Sequence, residues 1–310
     1  MTPTRRGMMA GAGALAAASC APVSQARVGA LAAGQPAALL IWALAPERLL
    51  GWPRSPSKSS LSGLSPRAAT LPQLGALTGG GGPADLERLA SLRPRLILDY
   101  GDVEPEYQAL AERLRMRLGA EWHLIDGALD LIPQALFQAG RLLGAEDRAS
   151  ALADLATGIL ARWTIAPAGP AFYYARGADG LETGFAGALA TEVLEGAGWI
   201  NVATGGRDIG RVSREQVAAW DPEAIVTLSA DFVRDAASDP VWRTRRDGTR
   251  RRLLWLPDVP FGWIDRPPSL NRLLGCAWLA DQGDRAMIER LGPLLYGAPS
   301  PASALPRWVE

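Results

Sequence analysis

Arginine and aromatic side chains recur where the predicted strands of this chain end. They form a candidate ligand-binding set that comprises Trp52, Arg54, Tyr100, Tyr174, Arg176, Trp263 and Arg266. A guanidinium can hold a carboxylate through two parallel hydrogen bonds, and a cation over an aromatic face gains about 0.5–2 kcal/mol. The set therefore predicts recognition of an anionic or planar metal chelate.

The residue types that covalent catalysis needs are scarce. The chain has one histidine, His123, and one lysine, Lys58. It therefore has too few lysines to favour Schiff-base chemistry and too few histidines for a histidine-rich metal site. His123 lies in the strand-like run WHLID, where a structural role is expected. We therefore expect no catalytic residue, no cofactor and no metal held by protein ligands alone. The alternative that stays open is an exported α/β hydrolase that uses Asp99 or Asp265 as acid or base.

The charge balance and cysteine content exclude further classes. The 32 basic and 32 acidic residues cancel, so the chain lacks the broad positive field that nucleic acids attract. Cys20 and Cys276 are the two cysteines, too few for a disulfide framework. The length of 310 residues with 48% hydrophobic residues fits two domains with buried cores.

Strands and helices alternate on both sides of one long helical stretch. In the first half, residues 27–32, 96–100 and 121–126 are expected strands, whereas residues 37–45, 85–92 and 104–118 are expected helices. A strand is also expected at residues 49–52. Such alternation predicts a parallel sheet covered on both faces. The loop at residues 54–72 is long enough to be functional.

A single connecting helix is predicted over residues 132–164, with one interruption of its helical periodicity near Gly144, and a break follows at Pro167–Pro170. A second alternation then begins, with strands near residues 171–175, 224–228 and 253–256 and helices at 189–197 and 214–220. The fold class predicted is thus α/β: two Rossmann-like lobes with parallel sheets, residues 27–131 and 165–310, joined by one long helix.

The first 26 residues are predicted to be an export signal. Arg5 and Arg6 precede a weakly apolar run from residue 8 to 19, which is too short to span a bilayer. This pattern is typical of a twin-arginine leader, and residues 24–26 offer a cleavage site. Lipid attachment at Cys20 is an alternative to that cleavage. We expect no membrane span in the mature chain and a periplasmic location.

A local repeat links the two lobes. The segment from Asp85 through Pro94 to Leu98 parallels the segment from Ser213 through Pro222 to Val226, each with a capping residue, a Glu two positions later, a helix, a Pro and a buried strand. This repeat predicts a duplicated architecture.

Together with the leader, these segments and the run FGWIDRPPSLNRLLGCAWL at residues 261–279 resemble the periplasmic substrate-binding proteins of ABC importers for iron-siderophores, haem, cobalamin and related metal chelates. The resemblance covers nearly the whole mature chain. It implies a monomer with a stiff helix between the lobes, a ligand held in the cleft and delivery to an ABC permease and its ATPase subunits. It also implies that Glu87 and Glu215, one on each lobe, dock onto permease arginines.

The ligand itself stays open at this level. An iron-siderophore or a related metal chelate is the first expectation. A molybdate- or tungstate-type oxyanion, or a nickel or cobalt chelate, is the nearest alternative. The oxyanion is favoured if Arg176 and Arg266 converge without aromatic walls.

Overall fold

The chain forms two separate sheets, each with helices on its faces. The computed structural model describes residues 29–79, 82–281, 285–298 and 305–309. The predicted leader at residues 1–26, including Cys20, and the two middle glycines of the run 79–82 lie outside these described residues. The α/β class with parallel sheets in two lobes is confirmed.

The first lobe is built on a parallel sheet of three strands in the order β1-β2-β3. Its strands are β1 (Ala30–Ala32), β2 (Leu96–Gly101) and β3 (Glu121–Asp126). Its helices are α1 (Gln35–Leu44), α2 (Lys58–Leu61), α3 (Leu86–Ser91) and α4 (Pro105–Leu118). The strand expected at residues 49–52 is reduced to isolated bridges, Ala30 with Leu49 and Trp52 with Gln73.

The connection between the lobes corrects the prediction in one respect. Residues 132–164 form two helices, α5 (Ile132–Leu143) and α6 (Glu146–Trp163), instead of one. Gly144 ends α5 with a φ of 61°, a left-handed conformation that favours glycine. A Cβ at Gly140 would lie 2.4 Å from the Cβ of Ala149, so the two helices pack in close contact. The helix that leads into the second lobe is therefore α6 alone, which has 18 residues and is about 27 Å long at 1.5 Å per residue.

The second lobe contains a sheet of five strands in the order β10-β9-β8-β4-β6 and a small antiparallel pair, β5-β7. The strands are β4 (Ala171–Ala175), β5 (Glu182–Gly184), β6 (Ile200–Asn201), β7 (Ile209–Arg211), β8 (Ala224–Thr227), β9 (Arg252–Trp255) and β10 (Arg307–Val309). The helices are α7 (Glu192–Glu195), α8 (Arg214–Trp220), α9 (Ala230–Ala236), α10 (Pro240–Arg243), α11 (Arg272–Asp281) and α12 (Arg285–Tyr296). Only β10 pairs antiparallel within the five-stranded sheet.

The two sheets share one topology. In the first lobe, β1 lies between the bridge to Leu49 and β2. In the second, β4 lies between β6 and β8 in parallel register. Helix α3 leads through Pro94 into β2, and helix α8 leads through Pro222 into β8. The duplication predicted from the local repeat is therefore present in the fold.

One continuous apolar cluster holds the lobes together. Leu98 and Tyr100 of β2 and Phe172 and Tyr174 of β4 belong to it, and so do residues of α1, α5, α6, α11 and α12. The alternate residues of the same strands, such as Ile97 and Tyr173, pack into two smaller clusters on the outer faces. Both faces of each sheet are thus covered, as the continuous apolar runs indicated.

Candidate functional site

A cavity of about 640 Å³ lies between the lobes. The first-lobe wall consists of residues 35, 36, 54–57, 59, 60, 78 and 79, and the second-lobe wall consists of residues 176, 258–261 and 265–268. The second-lobe wall follows the ends of β4 and β9, the edge of a parallel sheet where α/β proteins bind ligands. The volume of the cavity is within the range of roughly 300–1,000 Å³ that is typical of small-molecule sites.

Three arginines face this cavity: Arg54, Arg176 and Arg266. Arg54 comes from the first lobe and Arg266 from the second, and both side chains are exposed. Among the described residues, neither forms an ion pair. The cavity therefore presents two positive charges on opposite walls that no salt bridge neutralises.

Arg176 differs because its charge is already matched. Its Nε lies 2.7 Å from Oδ2 of Asp265, and its Nη1 lies 3.0 Å from Oε2 of Glu182. The hydroxyl of Tyr174 donates to the same Asp265 oxygen at 3.1 Å, and the backbone N–H of Arg266 donates to Oδ1 at 2.7 Å. Asp265 thereby fixes the cavity wall, and Arg176 has less free charge to offer a ligand than Arg54 or Arg266.

Asp258 is the remaining carboxylate of the cavity wall. Burial raises the pKa of Asp258, and the positive charge of Arg266 opposes that rise. A carboxyl that protonates more readily than usual lowers the negative charge of the cavity as the pH falls.

The predicted aromatic members of the site do not line the cavity. Trp52, Tyr100, Tyr174 and Trp263 are at most 2% exposed and lie in the core. Trp52 packs against Trp42 and Phe261 at centroid distances of 5.2 and 6.4 Å. The expectation of aromatic walls from these four residues is therefore not met. Phe261, which was not predicted, is the aromatic residue that reaches the cavity.

Small polar groups, which the sequence analysis missed, supply much of the first-lobe wall. They are Gln35, Ser55, Ser57, Ser59, Ser60 and Thr78. The Ser57 hydroxyl accepts from the N–H of Ser60 and so caps α2. The first part of the long loop at residues 54–72 therefore lines the cavity. The serine-rich composition of that loop was the available signal.

The carboxylates of the hydrolase alternative do not face a common cavity. Asp99 is buried beneath Thr78, whose hydroxyl donates to Asp99 Oδ1 at 2.9 Å. Burial raises the pKa of Asp99, which the Thr78 hydrogen bond opposes. Asp99 does not line the cavity, and Asp265 is committed to Arg176 and Tyr174. This separation counts against an acid and base pair formed by these two residues.

Glu87 and Glu215 occupy equivalent positions. Each is exposed and is the second residue of its helix, after the N-cap Asp85 in α3 and the N-cap Ser213 in α8. The backbone N–H and the Ser213 hydroxyl lower the pKa of Glu215. Because both helices run back toward the start of the next strand, their N-termini lie on the side where the strands end.

Two searches over the described part of the chain gave negative results. No group of three or more His, Cys, Asp or Glu side chains there could hold a metal ion. No helix in that part is both long and apolar enough to cross a membrane.

Comparison with known proteins identifies the fold. No family model matches the sequence, and no curated protein matches it. Several solved structures are similar to the chain. An ABC transporter solute-binding protein from Sulfurospirillum deleyianum is 22% identical with a TM-score of 0.77, covering 89% of this chain and 92% of that chain.

The descriptions of two further solved structures name a ligand, which is bound in the first and absent from the second. The molybdate periplasmic binding protein of Haemophilus influenzae is 16% identical with a TM-score of 0.64, covering 89% of this chain and 94% of that chain. A periplasmic haem-binding protein from Roseiflexus sp. RS-1 is 18% identical with a TM-score of 0.58, covering 84% of this chain and 99% of that chain. The chain thus has the two-lobe fold of periplasmic solute-binding proteins.

Proposed function

We propose that this protein is the solute-binding component of an ABC importer and that the cavity between its lobes captures an anionic metal chelate such as an iron-siderophore. It acts in the periplasm and performs no covalent chemistry. The observation that carries the proposal is the pair of arginines that form no salt bridge among the described residues, Arg54 and Arg266, which face one cavity from different lobes.

The physical argument rests on charge and volume. A guanidinium that has no protein carboxylate beside it can bind a ligand carboxylate or an equivalent anionic group. A cavity of about 640 Å³ accommodates a molecule much larger than a single inorganic anion. The two-lobe fold adds support, because proteins of similar structure are described as solute-binding proteins of transporters.

A metal oxyanion is the second candidate. Its specific support is that Arg176 and Arg266 both line the cavity while the aromatic contribution there is limited to Phe261. Hydroxyl groups of four serines and Thr78 are donors that suit an oxyanion. A structure neighbour is described as bound to molybdate.

Delivery to the importer is assigned to Glu87 and Glu215. We propose that these exposed carboxylates bind arginines of the permease on either side of the cavity. An exposed ion pair contributes only about 0–1 kcal/mol, so the two contacts orient the partner more than they supply affinity.

The test is a titration followed by intrinsic tryptophan fluorescence. The ligands are ferric siderophores, haem, cobalamin, nickel chelates and molybdate, each added to the purified protein. We expect saturable binding of an anionic chelate, or of molybdate for the second candidate, that weakens in Arg266→Gln. Absence of binding to every ligand, with nothing copurifying from the periplasm, would overturn the proposal.

A further inference from the structure

A second concentration of arginines lies on the far side of the second lobe. A hairpin closed by the bridge between Thr244 and Arg250 runs from the end of α10 into β9. Its arginines are Arg243, Arg245, Arg246, Arg250, Arg251 and Arg252. Nothing in the proposed capture of a chelate uses them.

Half of these arginines hold the hairpin in place. Arg246 donates to the carbonyls of Ala218 and Ala219 at the end of α8, at 3.2 and 2.7 Å. Arg251 is buried and donates to two carbonyls and to Asp221 Oδ1 at 2.9 Å. Arg245 lies 3.8 Å from Asp221 Oδ2. The nearby carboxylate of Asp221 is therefore already engaged.

Arg243 is different because it is buried without sufficient partners. Arg243 is only 7% exposed. Its Nη2 donates a hydrogen bond to the carbonyl of Val309 at 3.0 Å. Its Nε and Nη1 have no hydrogen-bond partner among the described residues. Burial and the charge of Arg250 lower the pKa of Arg243. Leaving charged N–H groups unpaired in a buried position is costly, which favours an external anion.

A pocket of about 320 Å³ opens at this guanidinium. Its walls include Arg243, Arg250, Arg252 and Trp308. The guanidinium of Arg252 lies 3.7 Å from the centroid of the Trp308 ring. Trp308 also stacks on Trp199, with ring centroids 6.3 Å apart and an interplanar angle of 7°. This stacking fixes Arg252 at the rim of the pocket.

The pocket is separate from the interlobe cavity. Arg250 and Arg252 stand at the start of β9, whereas Asp258 and Arg266 follow its end. Parallel strands place their starts and their ends on opposite edges of a sheet. A ligand here would not occupy the proposed chelate site or the face that carries Glu215.

We propose that this arginine pocket, formed by Arg243, Arg250 and Arg252 beside Trp308, is a second anion-binding site that takes a phosphate or phosphomonoester group. Three guanidinium groups match the several oxygens and the double charge of phosphate better than a single carboxylate. The group can come from free phosphate or from the phosphomonoester headgroup of phosphatidic acid.

The first arm of the test is isothermal titration of the protein with inorganic phosphate at low ionic strength. We expect binding that Arg250→Gln weakens about tenfold or more, because each charge-assisted hydrogen bond is worth about 1.5–3 kcal/mol. Arg250 is exposed, so this variant is expected to fold. Arg234→Gln removes the same charge from the same lobe at a residue paired with Asp231, and phosphate affinity should stay unchanged.

The second arm is cosedimentation with phosphatidylcholine vesicles that contain or lack phosphatidic acid. Vesicle binding that needs phosphatidic acid and is lost in Arg250→Gln identifies a lipid headgroup. Phosphate binding without vesicle binding identifies a free oxyanion. Both outcomes support the arginine pocket.

Arg266→Gln separates this site from the interlobe cavity, because it changes chelate capture and should leave the Arg250-dependent phosphate binding intact. The inference is overturned if neither probe binds, or if binding is equal in the wild type, Arg250→Gln and Arg252→Gln.

Discussion

Arg272 and Glu192 form an ion pair of 2.5 Å in which each partner also binds the opposite lobe. Arg272 is fully buried, and its Nη2 donates to the carbonyl of Gly127. Glu192 Oε1 accepts from the N–H of Leu129 at 3.0 Å. A polar network therefore joins the start of α11, helix α7 and the chain after β3, within the continuous core that spans both lobes. This arrangement restricts the relative motion of the lobes.

The first prediction concerns the stability of this junction. Arg272→Met should lower the free energy of unfolding by about 3–5 kcal/mol, because it leaves Glu192 and the Gly127 carbonyl without their charged partner. Urea denaturation followed by circular dichroism measures the change.

The matched control is Arg234→Gln, which breaks an exposed pair with Asp231. Its effect should stay below about 1 kcal/mol. Equal stability of Arg272→Met and the wild type would show that the network does not hold the lobes.

The second prediction concerns the arginines of the interlobe cavity. Arg54→Gln and Arg266→Gln should each weaken binding of the captured anionic ligand by about tenfold or more, because each removes a charge-assisted hydrogen bond worth about 1.5–3 kcal/mol. Fluorescence titration gives the dissociation constants. Both side chains are exposed, so the unfolding midpoint should change little. Unaltered affinity in both variants would remove the basis for anion recognition.

The third prediction is a pH dependence of ligand affinity. Burial raises the pKa of Asp258, so its carboxyl becomes neutral as the pH falls through that raised value. The cavity then loses a negative charge, and affinity for an anion should rise. Asp258→Asn should bind more tightly than the wild type near neutral pH, with a flatter pH profile.

Protonation of the ligand affects both proteins equally, so it cancels when the affinity of the wild type is divided by that of Asp258→Asn at each pH. The two proteins should converge at low pH. A ratio that is constant across the range would contradict the role of Asp258.

The fourth prediction concerns docking. Replacing both Glu87 and Glu215 with Ala should reduce stimulation of the transporter ATPase in reconstituted vesicles. Each single change should have a smaller effect, about fivefold or less, since exposed ion pairs are weak. Ligand affinity in solution should not change. Glu289→Ala, at an exposed residue paired with Arg285 on α12, is the control. Normal stimulation by the double variant would place the docking surface elsewhere.

Much of the fold could be predicted because the strands and helix caps are encoded locally. The strand limits at Glu121–Asp126 and Ala171–Ala175 match the prediction, as does helix Arg214–Trp220. The capping box formed by Ser213 and Gln216 is a signal readable from spacing alone. The break at Gly144 was visible as a glycine, but its left-handed φ and the close packing of Gly140 on Ala149 depend on tertiary contacts.

The candidate site could be predicted only in part. Arg54 and Arg266 line the cavity because loops at that edge of the sheets are exposed, and their role in ligand binding stays a prediction. Tyr100 and Tyr174 were misjudged because each points toward the shared core, on a sheet covered on both faces. Strand periodicity separates the two faces of a strand but does not reveal which face a second lobe covers.

The most direct test is a crystal structure of the protein isolated from the periplasm with the ligand that copurifies. We predict that the ligand lies between the lobes, with an anionic group in contact with Arg54 and Arg266. A ligand bound outside this cavity, or one without an anionic group facing these arginines, would contradict the account.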